Sequence, residues 1–224
     1  MISTLCFGQR DHSYMPSKRN FKIKYVNYDH KNRKTYTAIW QLAGKTKDAY
    51  GKIRYNIESE ITTIKQNTFY QYFHFTSKDS NFYIGAERYL DPIKLDSYQN
   101  MVVKIDADSV ALPLNPIKDQ LLPEATCQAD ILRGTGSVLM SMTVLLVNRR
   151  VEGIENIETP AGKFNCYRIS SDKITFSGIS KTKTRLIEWY AINVGLIRME
   201  EYHKKGKLLS YKQIESIAED FFIP

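Results

Sequence analysis

Paired carboxylates are the side chains whose spacing comes closest to a catalytic arrangement. The pairs are Glu58 with Glu60, Asp106 with Asp108, and Glu200 with its neighbour Glu201. Residues two apart on a strand share one face and lie about 6.5–7 Å apart along it, which suits the acid and base of an inverting glycosidase at roughly 6.5–9.5 Å. Any solvent-facing strand shows the same pattern, and Lys104 shares the face of Asp106 and Asp108. We therefore predict exposed strand surfaces here, and a hydrolase with a carboxylate site remains an alternative.

Metal and phosphate chemistry have weaker support in the sequence. The four histidines are His12, His30, His74 and His203, and no two stand at a short ligand spacing or in an H-E-x-x-H motif. Gly134-Thr135-Gly136 lacks the later glycine and the Lys-Ser/Thr of a phosphate-binding loop, so it is predicted to be a turn. No serine-nucleophile motif occurs in a suitable context. The sequence predicts no catalytic residue, no metal site and no cofactor.

The three cysteines, Cys6, Cys127 and Cys166, form no C-x-x-C pair, which argues against zinc and thioredoxin-like sites. Cys166 shares a strand face with Phe164, so we expect it to act as a small buried hydrophobe. A Cys127–Cys166 disulfide is the alternative if the compartment is oxidising.

Aromatic and methionine side chains give the one positive indication of binding. Met140, Met142, Phe164, Trp189 and Tyr190 could together line an apolar cleft, because flexible methionines suit adaptable apolar sites. The same residues also suit an ordinary packed core. We keep both interpretations for these five positions.

The net charge of +8 could indicate an anionic partner. The basic residues are scattered, however, and many fall in the predicted turns 30–34, 45–47 and 204–207. No RNP, zinc-knuckle or helix-turn-helix motif accompanies them. The sequence therefore argues against nucleic-acid binding and favours solvated loops and lysine-protected strand edges.

Residues 1–8 look like the end of a secretory signal peptide, with the small residues Cys6 and Gly8 at the places that precede a cleavage site. The longest mostly apolar run, Ser137 to Val147, is well short of the roughly 20 residues that a spanning helix needs. We predict an exported protein without a transmembrane segment. Residues 1–8 are interpreted as a signal-peptide remnant and residues 9–224 as a single β domain.

Period-2 alternation recurs along the chain and predicts strands in most of it. Phe82 to Leu90 is predicted as a strand, and Asp91-Pro92 as the cap and first position of a short helix. Val138 to Glu158 predicts a long strand or a bent pair of strands, with Gly153 marking a bulge. Thr159 to Gly162 is predicted as a tight turn, because proline presets the backbone at its second place.

The C-terminal half carries a family resemblance. The stretches are Arg150–Glu155, Thr159–Phe164, Glu188–Ala191, Val194–Arg198, and Gly206–Leu208 before Ser210-Tyr211. In order and spacing they resemble a domain-of-unknown-function family of exported proteins that is common among Bacteroidetes-type Gram-negative bacteria. The hairpin region Phe21 to Thr37 is similar to the opening segment of that family.

The resemblance implies an all-β fold: an antiparallel, strongly curved sheet that forms a β-roll or incomplete barrel, with at most one or two short helices. It implies a signal peptide and a location in the periplasm or at the cell surface, and it brings no activity. The matching residues Pro160, Gly162, Gly195 and Gly206 describe turns and close contacts rather than a reaction. Where the family has a Pro-Gly-like turn, this chain has Ile192-Asn193, and asparagine can adopt the left-handed conformation there.

These observations favour a non-catalytic exported protein that binds a lipid, another hydrophobic small molecule or a partner of the cell envelope. A curved sheet with an apolar concave face can hold such a ligand. The alternatives are a structural or interaction module of the envelope, and the carboxylate hydrolase described above.

Overall fold

The computed structural model describes residues 13–16, 21–78 and 81–219. The strands are β1 Phe21–Asp29, β2 Lys34–Lys47, β3 Ile53–Thr63, β4 Thr68–Lys78, β5 Asn81–Gly85, β6 Val102–Ala107, β7 Ser109–Pro113, β8 Ala125–Leu132, β9 Val138–Thr159, β10 Gly162–Ser177, β11 Ser180–Ala191, β12 Gly195–His203 and β13 Leu208–Glu219. A 3₁₀ turn, Ala86–Tyr89, and a short helix α1, Pro92–Asp96, interrupt them. The predicted signal-peptide remnant, Cys6 and His12 lie outside the described residues.

All described strands belong to one antiparallel sheet, in the order β6-β8-β9-β10-β11-β12-β13-β1-β2-β3-β4-β5-β7. The two edge strands, β6 and β7, follow each other in sequence and are joined at Asp108. The Asp108 N–H donates to the Thr126 carbonyl at 2.8 Å, and its own carbonyl accepts from the Ala86 N–H at 2.9 Å. The two edges therefore meet at one residue, and the sheet curls into a nearly closed, barrel-like roll. This confirms the predicted all-β, strongly curved sheet.

The closure leaves an opening beside β4. This strand pairs with β5 only from Phe75 to Lys78, while β6 pairs with β8 on its other side. Side chains of the 3₁₀ turn and α1 lie in the opening and, with β4 and β6, line a groove of about 420 Å³. The helical segment is thus placed where the sheet is incomplete.

The predicted strand Phe82 to Leu90 is wrong in its second half. Only Asn81–Gly85 is extended, and the chain then enters the 3₁₀ turn. The reason lies in the pairing partner: Gly85 pairs with Ser109, the first residue of β7, so no ladder is available beyond it. Residues 45–47 are also not a turn, because β2 continues through Lys47.

Several local predictions are confirmed. The Asp91 carboxylate accepts hydrogen bonds from the backbone of Ile93 and Lys94 at the start of α1. Arg168 pairs with Gly153 and Ile169 with Val151, so the strand bulges between them. Gly162 pairs with Thr159 across the predicted turn.

A short N-terminal segment closes one end of the roll. Tyr14 is 1% exposed, and its hydroxyl donates to the Pro113 carbonyl at 2.9 Å. Its ring packs edge-on against Phe82 and Tyr190. The Asn193 N–H donates to the Ser13 carbonyl at 2.6 Å, and Asn193 has a φ of 63°. The left-handed asparagine that the sequence suggested therefore shapes this closed end.

Candidate functional site

A cavity of about 430 Å³ lies inside the roll. Its apolar lining includes Trp40, Ile61, Phe73, Leu90, Leu186 and Met199, and its polar lining includes Ser59, Arg88, Lys173, Glu201, Ser210 and Lys212. The volume falls within the range of roughly 300–1,000 Å³ that is typical of small-molecule sites. The cavity combines apolar walls with a small set of charged groups, which is the usual makeup of a ligand pocket.

A buried polar cluster borders this cavity. The Arg88 Nη2 group donates to Glu188 Oε1 at 2.6 Å and to the Tyr190 hydroxyl at 2.6 Å. The Tyr190 hydroxyl donates to Glu188 Oε1 at 2.8 Å, and the Tyr89 hydroxyl donates to Glu188 Oε2 at 3.1 Å. The side chains of Arg88 and Glu188 are only 5% and 2% exposed. This is an enclosed ion pair whose acid is also held by two phenols.

The cluster forms where two separate parts of the chain meet. Glu188 and Tyr190 occupy alternate positions of β11, so both point into the roll. Arg88 and Tyr89 arrive from the 3₁₀ turn. Burial acts to lower the pKa of the Arg88 guanidinium, but Tyr190, Tyr89 and Glu188 outweigh it and raise that pKa. Burial also raises the pKa of Tyr89 to about 12. At neutral pH the arginine is therefore charged and the phenol is neutral.

The Arg88 guanidinium keeps spare donors. Its Nη1 atom is buried and has no hydrogen-bond acceptor among the described residues. A buried donor without an acceptor costs about 1–3 kcal/mol, so such an atom marks a place where a further acceptor would be stabilising. Arg88 lines the large cavity and also a void of about 10 Å³ beside Tyr14. Arg88 therefore lies between the end of the roll that Tyr14 fills and the cavity of about 430 Å³.

Lys212 is the second buried cation of the cavity wall, and it is 9% exposed. Burial, together with the positive charges of Arg88 and Lys173, lowers the pKa of its ammonium group to about 7, against the opposing effect of Glu188. Its Nζ atom lies 6.0 Å from the centre of the Trp40 ring, and the Arg88 Cζ atom lies equally far from that ring. Within the described part of the chain, no carboxylate forms an ion pair with Lys212.

The third cation of the cavity is paired. Lys173 Nζ lies 3.2 Å from Glu201 Oε2, and the Thr184 hydroxyl donates to the other oxygen of Glu201 at 2.7 Å. Arg88 and Lys173 thus each have an acidic partner, whereas Lys212 has none among the residues that the structure describes. The Asp91 carboxylate also lines the cavity, but it caps α1 and forms no ion pair with Lys212.

The five residues predicted for an apolar cleft do not meet in one place. Met142 is buried, while Met140 is half-buried and its sulfur accepts from the Tyr98 hydroxyl at 3.8 Å. Phe164 lines a separate cleft of about 360 Å³. The Trp189 ring N–H donates to a Glu155 oxygen at 2.9 Å. Of the five, Tyr190 belongs to the polar cluster, and the binding role of the set stays a prediction.

The two described cysteines, Cys127 and Cys166, are free and buried. Burial raises the pKa of each thiol to about 12, so both remain protonated at neutral pH. The disulfide alternative is therefore not realised, and Cys166 fills the role of a buried hydrophobe.

In each carboxylate pair singled out in the sequence, at least one member has an ordinary structural partner. Glu58 accepts from the Gln41 amide at 2.5 Å, Asp108 accepts from the Thr126 N–H at 2.8 Å, and Glu200 accepts from Arg198 at 2.7 Å. In the described ranges, no three His, Cys, Asp or Glu side chains are grouped closely enough to hold a metal ion.

Sequence reasoning missed Arg88, Glu188 and Lys212 as candidate site residues. Glu188 lies within the stretch Glu188–Ala191 that carries the family resemblance. A signal did exist: Glu188 lies between Leu186 and Tyr190 in the inward phase of β11, and Lys212 precedes buried Ile214 in the inward phase of β13. Charged residues in the apolar phase of a strand point to a functional interior.

The fold and the site define a class: a single-sheet, all-β protein whose nearly closed sheet surrounds a partly polar cavity. The chain belongs to the DUF3108-like family, whose sequence profile matches residues 19–214. The predicted membership of a domain-of-unknown-function family is confirmed.

Two solved structures share the fold. A predicted exported protein with a YmcC-like fold from Bacteroides fragilis is 20% identical, with a TM-score of 0.79 over 93% of this chain and 100% of that one. A predicted lipoprotein from Parabacteroides distasonis is 20% identical, with a TM-score of 0.80 over 92% of this chain and 99% of that one. A search of curated proteins gives no match. In the residues that the structure describes, no helix has the length and apolar character to cross a membrane.

Proposed function

We propose that this protein is a non-catalytic binding protein that holds a small, mainly hydrophobic ligand inside its curled sheet. The observation that carries the proposal is the cavity of about 430 Å³, which has apolar walls and a few charged groups. The cavity opens to solvent beside the exposed residues Asp91 and Ile93, so a ligand can enter it. Its volume and mixed lining are those of a small-molecule site.

The state of the acids near the cavity favours binding over catalysis. Glu188 is held by Arg88 and by two tyrosine hydroxyls. Glu201 is held by Lys173 and by a threonine hydroxyl. A general base must be within hydrogen-bond reach of the proton it removes, and both carboxylates already use their oxygens for structural partners.

We place the site of action in the cell envelope, in the periplasm or at the cell surface. The support is the signal-like character of residues 1–8 and the similarity of the fold to one predicted exported protein and one predicted lipoprotein. An envelope protein with an apolar interior could carry or sense a lipid-like molecule there.

The proposal is tested by titration with Nile red, a neutral hydrophobic dye that fluoresces in apolar surroundings. We expect a saturable rise in fluorescence for the natural protein. Ser210 lines the cavity, so Ser210→Trp should fill the space and weaken dye binding at least about tenfold.

The matched control is Ile179→Trp, because Ile179 is fully exposed in the turn between β10 and β11. It adds the same indole outside the cavity and should leave dye binding unchanged. Thermal unfolding of both variants confirms that they are folded. Equal dye binding by the two variants would refute the cavity as the binding site.

An interaction module of the envelope is the second candidate. The observation that favours it is the groove between β4 and β6, where Tyr70 and Tyr72 are 53% and 69% exposed. The uncovered edge of β4 there could accept an extended segment of an envelope protein. Under this alternative, we expect either no saturable binding of Nile red or binding that Ser210→Trp leaves unchanged.

A further inference from the structure

We propose that the ligand of the cavity carries a single negative charge, a carboxylate on an apolar body, and that Lys212 binds this carboxylate. The inference rests on the proposed binding function and names the chemical class of the ligand. It follows from the charges of the cavity wall, the burial of Lys212 and the distribution of apolar lining.

The ion pairs of the cavity wall leave one of its cations without a direct partner. The Arg88 guanidinium is paired with Glu188 at 2.6 Å, and the Lys173 ammonium is paired with Glu201 at 3.2 Å. Lys212 lines the same cavity and has no ion-pair partner among the described residues. The Asp91 carboxylate also lines the cavity, but its Oδ1 atom accepts from the backbone of Ile93 and Lys94 instead of pairing with Lys212. A ligand carboxylate would give Lys212 a direct ion-pair partner.

Lys212 is largely buried on the cavity wall. The residue is 9% exposed, and isolated buried charges are strongly unfavourable. The groups that act on it are Arg88 and Lys173, which oppose its protonation, and Glu188, which favours it. As a result the pKa of Lys212 falls to about 7. A carboxylate in the cavity would reverse this balance and hold the ammonium form.

Arg88 places a second positive charge near the same carboxylate. Its Nη1 atom is buried without an acceptor among the described residues, and Arg88 lines the cavity together with Lys212. The Trp40 ring lies 6.0 Å from both cationic groups, so both charges lie near one indole. A carboxylate bound to Lys212 near Trp40 would also be attracted by the Arg88 charge.

The rest of the lining suits an apolar body. Ile61, Phe73, Leu90 and Met199 supply apolar surface to the cavity wall. Burying apolar area contributes about 25 cal/mol for each Å² removed from water, whereas a charged head is held by charge-assisted hydrogen bonds. The combination fits an amphipathic carboxylate rather than a small inorganic anion.

The test compares three probes by calorimetric titration of the full protein: decanoate, decanol, which has the same chain without the charge, and acetate, which has the charge without the chain. We expect decanoate to bind about 10- to 100-fold more tightly than decanol, the range expected for a hydrogen bond to a charged group. Acetate should bind far more weakly than decanoate. Lys212→Met should bring decanoate binding down to the level of decanol.

A second measurement uses the natural protein and needs no variant. Only the protonated form of Lys212 binds the carboxylate well, so affinity for decanoate should fall by about 30-fold between about pH 6 and pH 8.5 for a pKa near 7. Decanol binding should not change over this range. Binding near neutral pH should also take up protons, which calorimetry in buffers of different ionisation enthalpy detects.

The outcomes separate the two proposals. Equal binding of decanoate and decanol, independent of pH, overturns the carboxylate inference and leaves a cavity that binds neutral ligands. Binding of acetate as tight as that of decanoate also overturns it, because the apolar body would then contribute nothing. If neither long-chain probe binds and Nile red does not bind either, the binding function itself is refuted.

Discussion

Changing Glu188 to glutamine should strongly destabilise the protein, because it removes the acid of an enclosed ion pair while keeping the shape of the side chain. In the natural protein Glu188 accepts hydrogen bonds from Arg88, Tyr89 and Tyr190. After the change, the Arg88 guanidinium is left charged in a site where its side chain is 5% exposed. The guanidinium cannot escape this cost by losing a proton, because arginine stays charged in proteins.

The expected loss is about 3–5 kcal/mol, the usual effect of removing one partner of a buried pair. Complete unfolding of a natural domain typically requires about 5–15 kcal/mol, so the loss is a large share of the total. Urea unfolding followed by tryptophan fluorescence measures it directly. With a slope of about 1–3 kcal/mol per molar urea, the midpoint should fall by about 1 M or more.

Two comparisons make the result decisive. Glu158→Gln removes the acid of an exposed pair with Lys163, whose side chains are 72% and 77% exposed, and it should change stability little. Adding Arg88→Met to Glu188→Gln should recover part of the loss, because it removes the stranded charge. A loss below about 1 kcal/mol for Glu188→Gln, or losses that simply add in the double variant, would refute the reasoning.

Three further predictions concern single residues. Lys212 has a pKa of 10.5 when unfolded and of about 7 in the folded protein, so between these pH values only the unfolded state is protonated there. The free energy of unfolding of the natural protein should therefore rise by about 1.4 kcal/mol per pH unit relative to Lys212→Met. A difference in urea unfolding that stays constant with pH would contradict this. Cys127 and Cys166, with thiol pKa values raised to about 12, should resist alkylation until the protein unfolds. Alkylation of either thiol in the folded protein, detected by peptide mass spectrometry, would contradict their burial. Gly195 has a φ of 105°, and a backbone oxygen would lie 2.8 Å from the carbon that Gly195→Ala adds. This change should lower the stability of the folded protein by about 1–3 kcal/mol, and by more than Gly206→Ala, whose added carbon meets open space. Equal melting temperatures of the two variants would exclude the contact as the cause.

Local features of the sequence were sufficient for most of the fold. Alternation predicted the long strand that became β9, and glycine marked its bulge at Gly153. Asp91-Pro92 predicted the only α-helix of the described residues. These features depend on residues that are close in the chain, where backbone preferences and capping groups act directly.

The interior site could not be predicted in the same way. Arg88 and Glu188 are 100 residues apart, and nothing near either one indicates the other. The segment from Phe82 looked like a continuous strand because its apolar residues alternate, but pairing with β7 ends at Gly85. The chain therefore turns inward after Gly85, and Arg88 lies at the cavity. This outcome depends on where β7 begins, which the sequence around Arg88 does not indicate.

The cost of the buried charges is itself an argument for a ligand. Arg88 and Lys173 are stabilised by their acids, whereas Lys212 is largely buried and has no ion-pair partner among the described residues, so its charged form costs stability. A methionine at this position would fit the apolar lining and avoid that cost. Residues that reduce stability without improving packing are expected where function requires them. A ligand that supplies an anionic partner would stabilise the folded state in proportion to its occupancy, so the same ammonium group would couple pH, stability and binding.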